Sequence, residues 1–119
     1  MANPNIVNVT DIRGKTVANI ITTSAAVLVE NTSGSNKLLK VNMMIVSNVD
    51  GVNNAELTVD FFRGGTARHL VRTVLVPADS AFTPIDKNTP LYLEEGDAIR
   101  VTANANNDLE VVCSYEEIS

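Results

Sequence analysis

The sequence predicts an all-β protein: a single antiparallel β-sandwich of about eight strands, jelly-roll-like, behind an extended N-terminal arm. Three observations predict it. Val, Thr and Asn dominate the composition, Trp is absent and aromatics are scarce; Val and Thr suit the pleated sheet, and Asn suits the turns. Several segments alternate apolar and polar residues with period two, and none has a helical period over a useful length. Turn residues punctuate these segments about every eight to twelve positions.

At 119 residues the chain is one domain by length. The arm is assigned to residues 1–16 and the sandwich to 17–119. Within the arm, Ile6, Val7, Val9 and Ile12 are apolar but irregularly spaced, and Pro4 and Gly14 interrupt any regular element. Such an arm is either a free tail or a strap across a neighbouring subunit.

Val17 to Thr23 and Ala25 to Asn31 read as two short strands, followed by the loop Thr32 to Asn36. Leu38 to Asn48 is the longest apolar strand, with Leu39, Val41, Met43 and Ile45 expected on one face and Met44 and Val46 on the other. Apolar residues on both faces imply cover on both sides, by the second sheet and by a partner or the arm. Ala55 to Phe62 places Leu57, Val59 and Phe61 inward and Glu56, Thr58 and Asp60 outward. Phe62 falls on the polar side, where it could anchor an interface. The turn Arg63 to Ala67 leads into the strand Arg68 to Val76, and Pro84 sends Phe82 to Ile85 to a sheet edge.

The C-terminal third is the most regular part. After Glu94-Glu95-Gly96-Asp97, Ile99, Val101 and Ala103 share one face of a strand. Leu109, Val111, Cys113 and Tyr115 share one face of the next, with Glu110, Ser114 and Glu116 pointing away. A hairpin pairing Val101 with Val111 would put both apolar rows on one side of a sheet.

The chemistry of the sequence is sparse. Net charge is −5, and from Glu94 onward seven acids face one base, Arg100. This balance opposes nucleic-acid binding, which needs clustered Lys and Arg. The single histidine, His69, has no Ser or Cys motif to serve, so no catalytic residues are assigned. One Cys and one His cannot build a zinc site, and the Glu94–Asp97 turn reads as a solvated turn in preference to a calcium loop. No cofactor or metal is assigned. The few tyrosines also weaken a carbohydrate-binding reading. Cys113 reads as a buried hydrophobe. The start of the chain lacks a signal peptide, and no apolar run reaches membrane length, so cytoplasmic synthesis and no membrane partner are expected. Arg63, Arg68 and Arg72 lie in a stretch without acids; they either guard an edge strand or dock on an acidic surface, such as the Glu-rich C-terminal strand of a neighbouring copy.

Four segments, NVTDIRGKT (Asn8 to Thr16), KVNMMIVSNVDG (Lys40 to Gly51), PLYLEEGDAIRVTA (Pro90 to Ala103) and VVCSYEEIS (Val111 to Ser119), give the chain an overall pattern. In that pattern it resembles the small virion structural proteins of tailed bacteriophages, in particular marine and cyanobacterial ones. The resemblance implies a non-enzymatic β-sandwich carried in many copies on the virion. Head decoration (cement) is the first role it implies, and a neck, tail or fibre-associated role the second. Its implied partners are the major capsid protein or tail and neck proteins, together with further copies of itself, a trimer being favoured. Ile6, Val7, Val9, Ile12, Phe62, Arg63, Arg68 and Arg72 are the candidate subunit contacts. A receptor- or carbohydrate-binding module at a tail tip, acting through the loops Val49 to Asn54 and Asn104 to Asp108, is the alternative from another class.

Overall fold

A computed structural model of the chain describes residues 4–119; residues 1–3 of the expected arm lie outside the described residues. It contains nine strands, β1 (Ile12–Ile20), β2 (Ala26–Glu30), β3 (Leu38–Asn48), β4 (Ala55–Arg63), β5 (Thr66–Val76), β6 (Ala81–Ile85), β7 (Leu91–Leu93), β8 (Ala98–Ala103) and β9 (Leu109–Ile118). They form two antiparallel sheets packed as a sandwich of about 50 × 26 × 20 Å. One sheet, here the β9 sheet, runs β1-β9-β3-β6 with β7 also on β3; the other, the β8 sheet, runs β2-β8-β4-β5.

This order is a jelly roll. Among the described strands, β4–β5 is a hairpin, and the other connections cross between sheets except β6 to β7. Strands β6 and β7 both pair antiparallel with β3, at Met44–Ser47 and at Leu39–Val41. They are one edge strand broken by the Asp86–Pro90 loop, so the eight expected strand positions become nine segments. The hairpin turn has Gly64 at φ 60° and Gly65 at φ 78°. A two-residue turn with both residues left-handed matches the twist of the flanking strands, and glycine adopts it without strain.

The expected β8–β9 hairpin is corrected. Val101 pairs with Val59 and Ala26, whereas Val111 pairs with Asn19 and Val46. The two apolar rows face each other across the core instead of lying side by side. The phase of β3 is corrected as well. A bulge between Val41 and Met43 inserts one residue, so Leu39, Val41, Met44 and Val46 point into the core while Met43 and Ile45 turn outward, half-buried. The arm boundary also moves. Ile12 to Thr16 belong to β1, paired from Ile12↔Ile118 to Ile20↔Glu110, which leaves Pro4 to Asp11 ahead of the sandwich.

The core is formed by the inward rows of both sheets, including Val41, Met44, Val46, Leu57, Val59, Ile99, Leu109 and Val111, all essentially inaccessible. Each apolar side chain removed from water here contributes roughly 1.5–3 kcal/mol. Two buried asparagines pin the ends of the sandwich. The Asn31 amide donates to the Lys37 and Leu93 carbonyls and its carbonyl accepts from Ser35. The Asn48 amide donates to the Asn53 and Val76 carbonyls and its carbonyl accepts from the Asp50 N–H. Each thus satisfies backbone groups that the crossing loops would otherwise strand.

Candidate functional site

The outer faces of the two sheets differ in how their side chains are committed. On the β8 sheet, register aligns Val27, Arg100, Asp60 and His69 across four strands. Asp60 is buried beneath His69, whose Nδ1 is paired with its Oδ1. The Arg100 guanidinium lies 4.1 Å from the Phe62 ring centroid, a cation–π stack that covers the ring. Thr58 Oγ1 accepts from the Thr73 N–H, where Thr73 sits at φ 47° in an irregular stretch of β5. The candidate anchor Phe62 is therefore half-buried and covered within its own chain. Among the described residues His69 has Asp60 as its hydrogen-bond partner and no nucleophile bonded to it.

At the rim of this sheet, Arg63 closes a charged network. Its Nε donates to Asp97 Oδ1 at 2.7 Å, and its Nη2 donates to Asp97 Oδ2 at 2.6 Å and to Glu94 Oε2. Asp97 is buried, and the Glu94 N–H donates to it as well. Hydrogen bonding to Asp97 raises the Arg63 pKa above its ordinary value, so the guanidinium stays charged. Glu95 is buried too and accepts from the Gly34 N–H. The turn expected to be solvated is instead an internal clamp, and Arg63 is committed within the chain. Arg68 and Arg72, on β5, are exposed and carry no ion pair among the described residues.

The outer face of the β9 sheet has a different character. Register sets Ala18, Val112 and Ile45 in one row, Thr16, Ser114 and Met43 in the next, and Ile20, Glu110 and Ser47 in the row on the other side. Ile20 is 53 % exposed and Val112 41 % exposed. Between β1 and β9 lies an open depression of about 580 Å³ lined by Ala18, Ile20, Glu110 and Val112, among others. At the opposite end of this face Leu38 and Ile118 are buried, and Ile6 lies beside Leu38 and Tyr92. The Thr10 and Asp11 N–H groups donate to the Ser119 carbonyl, which ties the end of the arm to its own chain while Ile6 stays largely exposed. Val7 and Ile12 are exposed and Val9 is half-buried.

Sequence reasoning expected cover on both faces of Leu38 to Asn48 but missed the part of the open apolar patch contributed by β1 and β9. Its signal was the run of adjacent apolar residues Ile20-Ile21, Met43-Met44 and Val111-Val112 on three strands. In a strand, two neighbouring apolar residues require cover on both faces.

The loops Val49 to Asn54 and Asn104 to Asp108 meet at one end of the sandwich, where the Val49 N–H donates to the Asp108 carbonyl. Hydrogen bonds from Val52 and Asn53 hold Asp50 below its ordinary pKa, while desolvation and the neighbouring Asp50 charge raise that of Asp108. Among the described residues no group of three or more His, Cys, Asp or Glu is placed to hold a metal ion. No described helix is long and apolar enough to cross a membrane.

No protein-family model matches the chain, and no curated protein sequence matches it. Among solved structures, it is similar to a subunit of Bacillus endospore appendages, described as a novel family of disulfide-linked pili, with a TM-score of 0.55 and 14% identity over 100% of this chain and 96% of that one. It is also similar to a pentameric capsid protein isolated from metagenomic phage sequences, with a TM-score of 0.45 and 16% identity over 84% of this chain and 59% of that one. At such identities, the appendage likeness establishes the shared fold and nothing more.

Proposed function

We propose that the chain is a non-enzymatic structural subunit of a phage particle, and that its role is to decorate and cement the capsid. The observation that carries this reading is the open apolar patch around Ala18, Ile20, Val112 and Ile45 on the outer face of the β9 sheet. Exposed apolar area of this kind marks protein contact. The phage assignment rests on the sequence pattern of Asn8 to Thr16, Lys40 to Gly51 and the C-terminal third. Many weak contacts joined through an oligomer suit a cement protein. The arm, with Ile6, Val7 and Val9, would strap a neighbouring subunit in this reading.

The test is mass spectrometry of gradient-purified particles from the source phage. The expected result is this chain in stoichiometric proportion to the capsid protein; its absence from intact particles overturns the proposal. Deleting Met1 to Asp11, which spares β1, should leave a folded domain that joins particles poorly.

A second reading, a fibre or tail subunit, is favoured by the appendage likeness, which spans the whole chain. The disulfides named for those pili have no counterpart here. The chain has one cysteine, Cys113, which is buried in the core, and burial pushes its thiol pKa up to about 11. A fibre of this chain would be held by noncovalent contacts, and electron microscopy of concentrated protein would reveal it.

A further inference from the structure

We infer that the open patch on the β9 sheet is docked by the β5 flank of a second copy of this chain, in a head-to-tail contact. The inference rests on the reading of the chain as an assembling subunit and names the surfaces involved.

Strand pairing is disfavoured as the mode of contact, because all four sheet edges are blunted. Along β1, Arg13 and Lys15 share the inward face with Val17. β2 is five residues long and irregular between Val27 and Val29. β5 is irregular at two places and carries Thr73 at φ 47°. The β6–β7 edge is broken and carries Pro84 and Pro90. Inward charges, short strands, bulges and prolines all oppose edge-to-edge pairing. The contact therefore goes through a face.

Charge selects the occupant. The ionised group beside the open patch is Glu110, which is exposed and forms no ion pair among the described residues. The cation on that face, Lys40, sits toward the other end, opposite Glu116. Stacking two such faces antiparallel would bring Lys40 over Glu110 only together with the adjacent Glu116, which leaves the acids in excess, and stacking them parallel would set Glu110 against Glu110. The β5 flank is complementary: Leu70 and Leu75 are 39 % and 55 % exposed, and Arg72 forms no ion pair among the described residues, whereas Arg68, in register with the core-packed Phe61, lies on the other side of the strand. Leucines entering the depression over Ala18 and Val112 would bring Arg72 to Glu110. Patch and flank are different surfaces, so the contact is heterologous and either closes into a ring or continues as a filament.

The size of the patch fits repetition. The rows from Thr16 to Ile20 span roughly 17 Å of β1, and three strands spaced about 4.8 Å apart give a patch of roughly 250 Å², well below the roughly 800 Å² per partner of a standard interface. One such contact is weak, and closure or repetition gives it strength.

The test is sedimentation velocity of the full chain over a concentration series. Val112→Glu should raise the concentration needed for assembly by roughly tenfold or more, as should Leu75→Glu. Val112→Ala, which keeps the surface neutral, controls for folding and should give a smaller rise. Mixing Val112→Glu, whose flank is intact, with Leu75→Glu, whose patch is intact, at concentrations well above those at which the wild type assembles should yield a dimer that grows no further. Glu110→Arg combined with Arg72→Glu should restore assembly lost in either single variant. Assembly of Val112→Glu at wild-type concentration, no dimer in the mixture, or a wild-type chain that stays monomeric at its highest soluble concentration would each overturn the contact. The contact can fall while the chain is still found in purified particles, and it can stand while the chain is absent from them, so the two readings fail separately.

Discussion

The two outer faces of this sandwich commit their side chains differently. On the β8 sheet, Asp60 is paired with His69, Arg100 covers Phe62, and Arg63 at the rim is bound to Asp97 and Glu94. On the β9 sheet, the rows Ala18–Val112–Ile45 and Thr16–Ser114–Met43 leave apolar and small groups facing outward. Where charges are satisfied locally, as at Asp60 and Asp97, a partner gains little, because it would have to replace bonds already made, and the exception on this sheet is its β5 edge, with Leu70, Leu75 and Arg72 exposed. A face with uncommitted apolar area gains from cover. The contrast is what directs attention to the β9 sheet.

The largest effect is expected from breaking the internal clamp. Arg63→Ala leaves the buried Asp97 carboxylate without its guanidinium. The loss should be roughly 2–3 kcal/mol in urea unfolding, less than for a fully buried pair because Arg63 is half-exposed. Arg63→Lys should recover part of it, since an ammonium cannot reproduce the two-point bond. An unchanged midpoint for Arg63→Ala would remove the idea that this sheet is held by its own charges.

Adjacent residues of β9 sharpen the comparison next. Val111 is 1 % exposed and faces the core, whereas Val112 faces outward. Val111→Ala should cost about 2 kcal/mol of stability, and Val112→Ala should stay within about 0.5 kcal/mol. Equal losses would mean that Val112 serves the fold and not a contact.

Acid should loosen the β9 sheet at its β1 edge. Burial opposes the Glu117 charge, but hydrogen bonds from Lys15 and Lys37 outweigh it and hold the carboxyl below its ordinary value of 4.5. A lowered carboxyl pKa adds stability above that value and loses it as pH falls through the folded one. Hydrogen exchange should therefore show β1 amides losing protection in mild acid before β4 amides do. Glu117→Gln should remove this pH dependence at a loss of about 0.5–1 kcal/mol at neutral pH.

The smallest effect lies at the loop end shared by both sheets. Desolvation and the Asp50 charge raise the pKa of Asp108 above 3.8, so its ionised form is disfavoured in the folded chain. Asp108→Asn should raise thermal stability slightly at neutral pH. The gain should disappear below the ordinary pKa, where the wild-type carboxyl is protonated in both states.

Much of the architecture was legible along the chain. Alternation located the strands after the first, Gly64-Gly65 marked a turn, and Pro84 placed β6 at an edge, because each is a local consequence of backbone geometry. The candidate contact residues were less legible. Arg63, Arg68 and Arg72 read alike in sequence, yet Arg63 is held by Asp97, which lies 34 residues away, and the other two form no ion pair among the described residues. Val112 was overlooked among Glu110, Ser114 and Glu116 because its row exists only once Ala18 and Ile45 lie beside it.

By itself the sequence determined that the chain is all-β, where its strands after the first lie, and that its single cysteine and single histidine supply little chemistry. Tertiary structure alone decided which sheet each strand joins. Successive strands with inward apolar rows, such as β8 and β9, have the same alternation whether they pair side by side or face each other across a core. It also decided the phase of β3 beyond its bulge, since one inserted residue exchanges the faces of all that follow. Finally, it decided which charges are consumed and which apolar groups remain open, because both depend on neighbours brought together by crossing loops.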